Sequence, residues 1–228
     1  MCIRDSFQAR VNNELADIYG NFANRVLTFA SKHFDNRIMG DAGALDAAGA
    51  ALLAAFGERA TEVAGLYDRF RLREATAATV DMARMANKYF NDAEPWKLAK
   101  TDLPAAGAVI RSCLEALRAL AVYFAPITPT TSERILRTLG RTMTGETWSN
   151  AHEPKLATGT ELGPIEILFT KIEDTTVDEE LARLRAMAEA VASKPVTAKP
   201  AATTAMTEKT TEASPAAGDL IMICLLYT

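Results

Sequence analysis

Apolar residues recur at steps of three and four from Phe7 to about Gly140, with polar residues between them. This spacing places the apolar side chains on one face of a helix, which can then pack against other helices. The pattern predicts helices over about 7–34, over about 45–69, up to about 90, and from near Pro104 onward. Because the connections are mostly short, the predicted fold is all-α, an antiparallel helical bundle.

Residues with known preferences for helix ends mark several boundaries. Ser6 is a candidate N-cap for the first helix. Thr130 and Glu133 form a T-x-x-E capping box, which predicts a short helix that Gly140 closes. Pro95 has no backbone N–H and disfavours helix at the residue before it, so Trp96 is predicted to lie at a break between helices.

The pattern changes after Gly140. Residues 165–169 form a short apolar run, which predicts a strand or an extended segment packed on the bundle. A charged helix is predicted over about 176–192, and residues 193–219 are rich in Pro, Ala, Thr and Lys. A segment of that composition buries too little apolar surface to fold, so a flexible, disordered linker is predicted there.

The predicted organisation is therefore a helical domain over 7–192, including the extended segment and the final helix, followed by the linker. Residues 1–6 and 222–228 match no neighbouring element and are interpreted as non-native ends.

Composition excludes several classes of protein. The three Cys have no paired spacing, which argues against a disulfide scaffold or a Cys-based zinc site and favours the reducing cytoplasm. His33 and His152 lack ligand spacing and are predicted to lie on the surface. The longest apolar run, 220–227, is far shorter than the roughly 20 residues that a membrane span needs, so no membrane partner is predicted.

No self-contained active site is visible in the chain. The sequence lacks a Gly-rich phosphate loop, a G-x-S-x-G elbow and an HExxH helix. The net charge is -4, but residues 69–100 carry seven Lys/Arg against four Asp/Glu. This local excess fits a polyanionic partner, although solvated helix faces explain the same counts. A binding role is predicted, with no catalytic residue, metal or cofactor in this chain.

Three polar or aromatic residues form the candidate binding site. Asn21 and Arg25 are four residues apart and share one face of the first helix. An Asn amide and an Arg fork both suit the exposed edge of an unpaired base, and Trp96 could stack on such a base. The first and third helices run in the same direction in an up-down-up bundle, so the three residues can meet. Spacing alone favours a solvated Asn21–Arg25 pair and a Trp96 that fills a core.

Four segments nevertheless resemble methionyl-tRNA synthetases, class I enzymes that charge tRNA with methionine. They occur in the family's order and at compatible spacing over about 7–192. Taken together, the four segments are therefore specific for this family. They are RVNNELADIYGNFANRVLTF, which resembles the start of the anticodon-binding bundle; NKYFNDAEPWKLAK; YFAPITPTTSERI, which resembles the join between later helices; and LFTKIEDTTVDEELARL, which resembles the return to the catalytic body.

The resemblance implies that the chain binds tRNA at the CAU anticodon. Asn21 and Arg25 match family positions that contact anticodon bases, and Trp96 matches the aromatic residue that stacks against them. The HIGH-type motif, the KMSKS-type loop and the zinc knuckle of the family are not in this sequence. ATP, Mg²⁺ and zinc would therefore belong to a catalytic domain missing from this chain, and the 193–219 tract would tether a further tRNA-binding barrel.

Two alternatives stay open at this stage. The bundle could be the anticodon-binding domain of another class I synthetase, such as the leucine or valine enzyme. It could also be a helical protein–protein interaction module, in which case Trp96 is predicted to be buried, with Asn21 and Arg25 pointing away from it. The oligomeric state is not indicated by the sequence.

Overall fold

The fold of the chain is an all-α bundle, as the periodicity predicts. The computed structural model describes residues 3–39 and 45–192. A π-helical segment, Val11–Gly20, joins the first two α-helices, and two 3₁₀ turns follow the bundle at Met143–Gly145 and Trp148–Asn150. The α-helices are α1 (Ile3–Arg10), α2 (Asn21–His33), α3 (Ala47–Asp68), α4 (Leu72–Ala93), α5 (Pro95–Thr101), α6 (Leu103–Phe124), α7 (Pro129–Thr138) and α8 (Asp174–Ala192).

Side-chain contacts along the core fix the directions of the long helices. Tyr19 stacks on Phe124 with ring centroids 4.1 Å apart, whereas Phe34 lies against Gly107, so the first helical stretch and α6 run in opposite directions. Phe56 on α3 meets Tyr123 near the end of α6. The Asp46 carboxylate that caps the start of α3 accepts hydrogen bonds from Tyr89 and from Ser112, which lies about three turns before Tyr123 in α6. The helices α3 and α6 are therefore parallel to each other. The four long helices α2, α3, α4 and α6 form an up-down-up-down bundle.

Two predicted helix starts are wrong. The first helix begins at Ile3, so Ser6 lies inside it and does not cap it. The helix α7 begins at Pro129, which places Thr130 and Glu133 within the helix rather than in a capping box. Proline at the first helical position has the φ angle a helix needs and loses no hydrogen bond there, so Pro129 sets the start.

The predicted extended segment at 165–169 is confirmed. It forms no strand in the described ranges, and Phe169 packs 5.9 Å from the Tyr19 ring and directly against Gly20. The described chain divides into two compact units after Thr170, and α8 belongs to the second. The predicted 7–192 domain spans this division, whereas the predicted linker and C-terminal end lie outside the described residues.

Four fully buried ionised side chains hold the segment after α7 against α6. Glu115 pairs with Arg111 at 3.1 Å and with Arg118 at 3.0 Å, and Arg118 also pairs with Glu146 at 2.5 Å. The Arg141 side chain donates to Glu146 as well, and several backbone groups also take part in this buried network. Arg111 donates to the carbonyls of Met39 and Leu156, Arg118 to those of Ala151 and Glu153, and Glu115 accepts from the amides of Lys155 and Leu156.

The two histidines differ in environment. His33 is exposed and stacks on Phe29, as the surface prediction requires. The surface prediction is wrong for His152, which is half-buried with its ring against Gly57. A Cβ atom at position 57 would lie 3.0 Å from that ring, so the glycine provides the space for the imidazole. Cys113 is fully buried, and this burial raises the pKa of its thiol.

The helix α3 ends in a motif that normally contains glycine. The Phe70 amide donates to the Tyr67 carbonyl and the Arg71 amide donates to the Leu66 carbonyl, each at 2.9 Å, while Phe70 has a φ of 56°. This is a Schellman ending, in which the left-handed position favours glycine because a Cβ atom is strained there. The Phe70 side chain is 86% exposed, so its ring adds little burial in return.

We expect Phe70→Gly to stabilise the fold by about 0.5–1 kcal/mol, since it relieves the left-handed strain and loses little buried surface. Gly140 provides the matched control, because it ends α7 in the same motif with a φ of 69°. Gly140→Ala should lower stability, and its new Cβ would lie 2.8 Å from Thr160. Urea unfolding of both variants tests the pair. Loss of stability in Phe70→Gly would contradict this account.

Candidate nucleic-acid interface

The corner between α4 and α5 positions Trp96. The helix α4 ends at Ala93, and Glu94 then adopts the left-handed conformation with φ 44° and ψ 53°. Pro95 is buried and begins α5, so Trp96 lies in the first turn of that helix. The predicted break is confirmed at this corner. The Trp96 ring is 38% exposed, so it does not fill the core as spacing alone favoured.

Arg25 reaches this corner from α2. Its guanidinium carbon lies 4.5 Å from the centroid of the Phe90 ring and 6.0 Å from that of Trp96. The rings of Phe90 and Trp96 are themselves 5.8 Å apart. The Nη2 group of Arg25 donates a 2.9 Å hydrogen bond to the side-chain oxygen of Asn91. A cation therefore lies beside two aromatic rings, one buried and one open to solvent.

Asn21 lies on the same side of α2 as Arg25, one turn earlier. It is exposed and is the first residue of α2, about 6 Å from Arg25 along the axis. The side chain of Asn87 on α4 donates to the carbonyl of Ile18 at 2.8 Å, while Arg25 meets Asn91 further along both helices. The first and third predicted helices therefore run in the same direction, as expected. The structure brings Arg25 to Trp96, with Asn21 one turn away.

The sequence did not identify two residues of this corner, Phe90 and Asn91, as part of the candidate site. Phe90 is 3% exposed and forms part of the apolar stripe of α4, so its periodicity indicates only a core residue. Asn91 is exposed and follows it directly. Both lie in the NKYFNDAEPWKLAK segment, which is the one signal that could have drawn attention to them. Their role depends on Arg25, which is distant in sequence and adjacent only in the fold.

The charges near the corner are mostly paired. Lys97 lies 2.7 Å from Glu94, and Lys88 pairs with Asp92. The side chain of Arg25, by contrast, donates its hydrogen bond to the neutral amide of Asn91. Its positive charge is thus not neutralised by a carboxylate within the described part of the chain. An unneutralised, half-buried guanidinium beside an open aromatic ring can contact both the edge and the face of an unpaired base.

In the ranges 3–39 and 45–192, no group of three His, Cys, Asp or Glu side chains could hold a metal ion. No helix within these ranges is long and apolar enough to cross a membrane.

Known proteins match this chain over most of its length. The family described as the anticodon binding domain of methionyl tRNA ligase matches residues 39–189. Methionine–tRNA ligase of Chlorobaculum tepidum is 39% identical over 192 residues, which covers 79% of this chain and 27% of that protein. The corresponding Bacteroides fragilis protein is 37% identical, with 78% and 26% covered.

A solved structure agrees with these matches. The apo form of Mycobacterium tuberculosis methionyl-tRNA synthetase superposes with a TM-score of 0.66 and 29% identity, covering 73% of this chain and 34% of that one. The fold is therefore that of the helical anticodon-binding bundles of class I aminoacyl-tRNA synthetases. Within that class, the chain belongs to the family of methionyl-tRNA ligase anticodon-binding domains. This finding overturns the alternative assignment to another class I synthetase.

The match covers only part of each relative. The chain spans about a quarter of the length of the curated ligases that it resembles, 27% and 26% for the two proteins above.

Proposed function

We propose that this domain recognises the CAU anticodon of tRNA on behalf of a methionine–tRNA ligase. The observation that carries the proposal is the partly exposed Trp96 ring beside the guanidinium of Arg25 at the α4–α5 corner. Sequence-specific recognition of RNA acts mainly on unpaired loop bases, which are stacked on aromatic rings and read along their edges. An anticodon loop presents such bases.

Each site residue has a separate role in this proposal. Trp96 stacks on an anticodon base, an interaction worth about 1–3 kcal/mol in other single-strand complexes. Arg25 donates hydrogen bonds to acceptors on a base edge, and the exposed Asn21 amide offers a donor and an acceptor one turn away. Discrimination follows because a wrong base leaves these groups unpaired once water is excluded.

In this proposal, a different part of the ligase carries out the aminoacylation reaction. A Mycobacterium tuberculosis relative has been solved in complex with methionyl-adenylate, and this chain matches 32% of it. We assign ATP, Mg²⁺ and any zinc to the part of the ligase that this chain does not match, and we place the enzyme in the cytoplasm. The described residues would contribute recognition of tRNA.

Quenching of tryptophan fluorescence tests the proposal directly. The chain has two Trp, and Trp148→Phe leaves Trp96 as the only tryptophan, whose emission can be excited separately from that of tyrosine. A phenylalanine at 148 retains ring contacts with Tyr67 and Tyr123 and loses the indole hydrogen bond to the Ala60 carbonyl. A CAU stem-loop should quench this variant at concentrations where a stem-loop with another anticodon does not.

The matched control is Trp96→Phe in a chain that keeps Trp148, which should show no quenching because Trp148 lies away from the corner. Equal quenching by both stem-loops would refute anticodon recognition. Absence of RNA binding, together with capture of a protein through the same corner, would favour the protein–protein interaction module.

A further inference from the structure

The side chain of Arg25 is held from two directions by residues of another helix. The guanidinium carbon lies over the Phe90 ring, 4.5 Å from its centroid, and Asn91 accepts a 2.9 Å hydrogen bond from the Nη2 group. A ring contact limits the tilt of the plane, and a hydrogen bond at one edge limits its rotation. The two contacts together leave the guanidinium few orientations.

We propose that Phe90 and Asn91 are positioning residues that fix Arg25 for reading an anticodon base. The inference rests on the proposed function and names two residues that the three-residue site does not include. Neither needs to touch RNA, since their effect passes through Arg25. Only one of the five N–H donors of a guanidinium is needed for the bond to Asn91, so a fork of donors remains for a base.

The burial of the two residues suits this role. Phe90 is 3% exposed and is anchored in the core, so it presents a fixed surface to the arginine. Asn91 is exposed, and the fold does not need its side chain for packing. This side chain instead accepts the hydrogen bond from Arg25, 66 positions away in sequence.

The helix break connects this pair to the stacking residue. Phe90 and Asn91 lie in the last turn of α4, just before Glu94 takes the left-handed conformation, and Trp96 follows in the first turn of α5. One corner therefore holds both the ring that stacks on a base and the contacts that aim Arg25. An arginine fixed before binding loses less conformational freedom when the RNA arrives, and this raises affinity for the matching base.

A double-mutant cycle on Asn91 and Arg25 tests the proposal. The quantity measured is the ratio of the Kd for a stem-loop with one altered anticodon base to the Kd for the CAU stem-loop. Asn91→Ala should lower this ratio by about two- to tenfold, the effect expected for one side chain that is no longer pre-ordered. Arg25→Ala should lower it further, and the double variant should equal Arg25→Ala alone.

The non-additive result is the signature of positioning. If the two effects multiply instead, Asn91 acts independently of Arg25 and the proposal is overturned. An unchanged ratio in Asn91→Ala would overturn it as well. Asn24→Ala is the matched control, because Asn24 is an exposed asparagine next to Arg25 in sequence, and its side chain accepts a hydrogen bond from Thr28. It should leave the ratio unchanged.

The variant Phe90→Leu tests the second positioning residue in the same binding assay, and its folding is checked separately. Leucine fills most of the buried space and removes the ring, so the ratio should fall and the loss should again vanish in the Arg25→Ala background. Thermal unfolding of each variant shows whether the protein is folded at the assay temperature. If the unchanged chain fails to prefer CAU, the proposed function itself fails. If it prefers CAU through Arg25 but not through Asn91 or Phe90, only the positioning role fails.

Discussion

Glu115→Ala should destabilise the fold by about 3–5 kcal/mol, the loss typical when one partner of a buried ion pair is removed. The carboxylate is fully buried and accepts from both Arg111 and Arg118. Its removal leaves two cations buried beside an empty space, and it also takes the acceptor from the amides of Lys155 and Leu156. Because a domain of this kind is stable by only about 5–15 kcal/mol, the loss is a large fraction of the total.

Urea unfolding followed by circular dichroism measures this effect. Glu62→Ala is the control, since Glu62 pairs with Arg59 on the surface of α3, where both side chains are about half exposed. Exposed pairs contribute about 0–1 kcal/mol, so the control should remain close to the unchanged chain. Glu115→Gln keeps the shape and one acceptor and should fall between the two. A loss in Glu115→Ala no greater than in Glu62→Ala would show that the buried network does not hold the segment after α7.

The second large effect is expected on binding. Trp96→Ala should weaken the complex with a CAU stem-loop by about five- to 150-fold, which corresponds to roughly 1–3 kcal/mol of lost stacking. The preference for CAU over other anticodons should fall with it, because a base that is no longer held flat cannot present its edge to Arg25. Titration by fluorescence anisotropy with a labelled stem-loop at fixed salt measures both quantities.

Stability separates this effect from unfolding. The Trp96 ring is 38% exposed, whereas Phe90 beneath it remains in the core, so the unfolding free energy should change less than in Glu115→Ala. Phe70→Gly is a useful comparison, since it removes an exposed aromatic ring at the opposite end of α4. That variant should bind the stem-loop like the unchanged chain. If Trp96→Ala binds equally well, the ring is not a stacking platform.

Local sequence patterns were sufficient for the helices and for their connections. The apolar stripes predicted the long helices to within a few residues, because such a stripe must be buried on one side of a helix. Pro95 and Gly140 predicted a break and an end, since each restricts the backbone without help from distant residues. The two wrong helix starts, at Ser6 and at the Thr130–Glu133 box, arose where several residues could begin the helix and local preferences did not separate them.

The candidate site depended more on tertiary structure. Asn21, Arg25 and Trp96 could be named from the resemblance, but the Phe90 ring and the Asn91 amide around Arg25 could not. A hydrogen bond across 66 residues depends on the angle at which α2 crosses α4, and no local pattern encodes that angle. The same limit applies to Arg111, Glu115 and Arg118. At spacings of three and four they look like a solvated helix face, and only the segment that folds over them makes them buried.

The sequence by itself therefore determined the helices, the helix break before Trp96 and the family that the chain resembles. Each of these depends on residues that are neighbours along the chain. The tertiary structure alone decided that the Trp96 ring is partly exposed to solvent. It also decided that Arg25 lies over the Phe90 ring and donates a hydrogen bond to Asn91. It also decided that three charges of α6 are buried. Exposure and pairing are properties of surfaces that meet across the chain, and they come into being only when the helices pack.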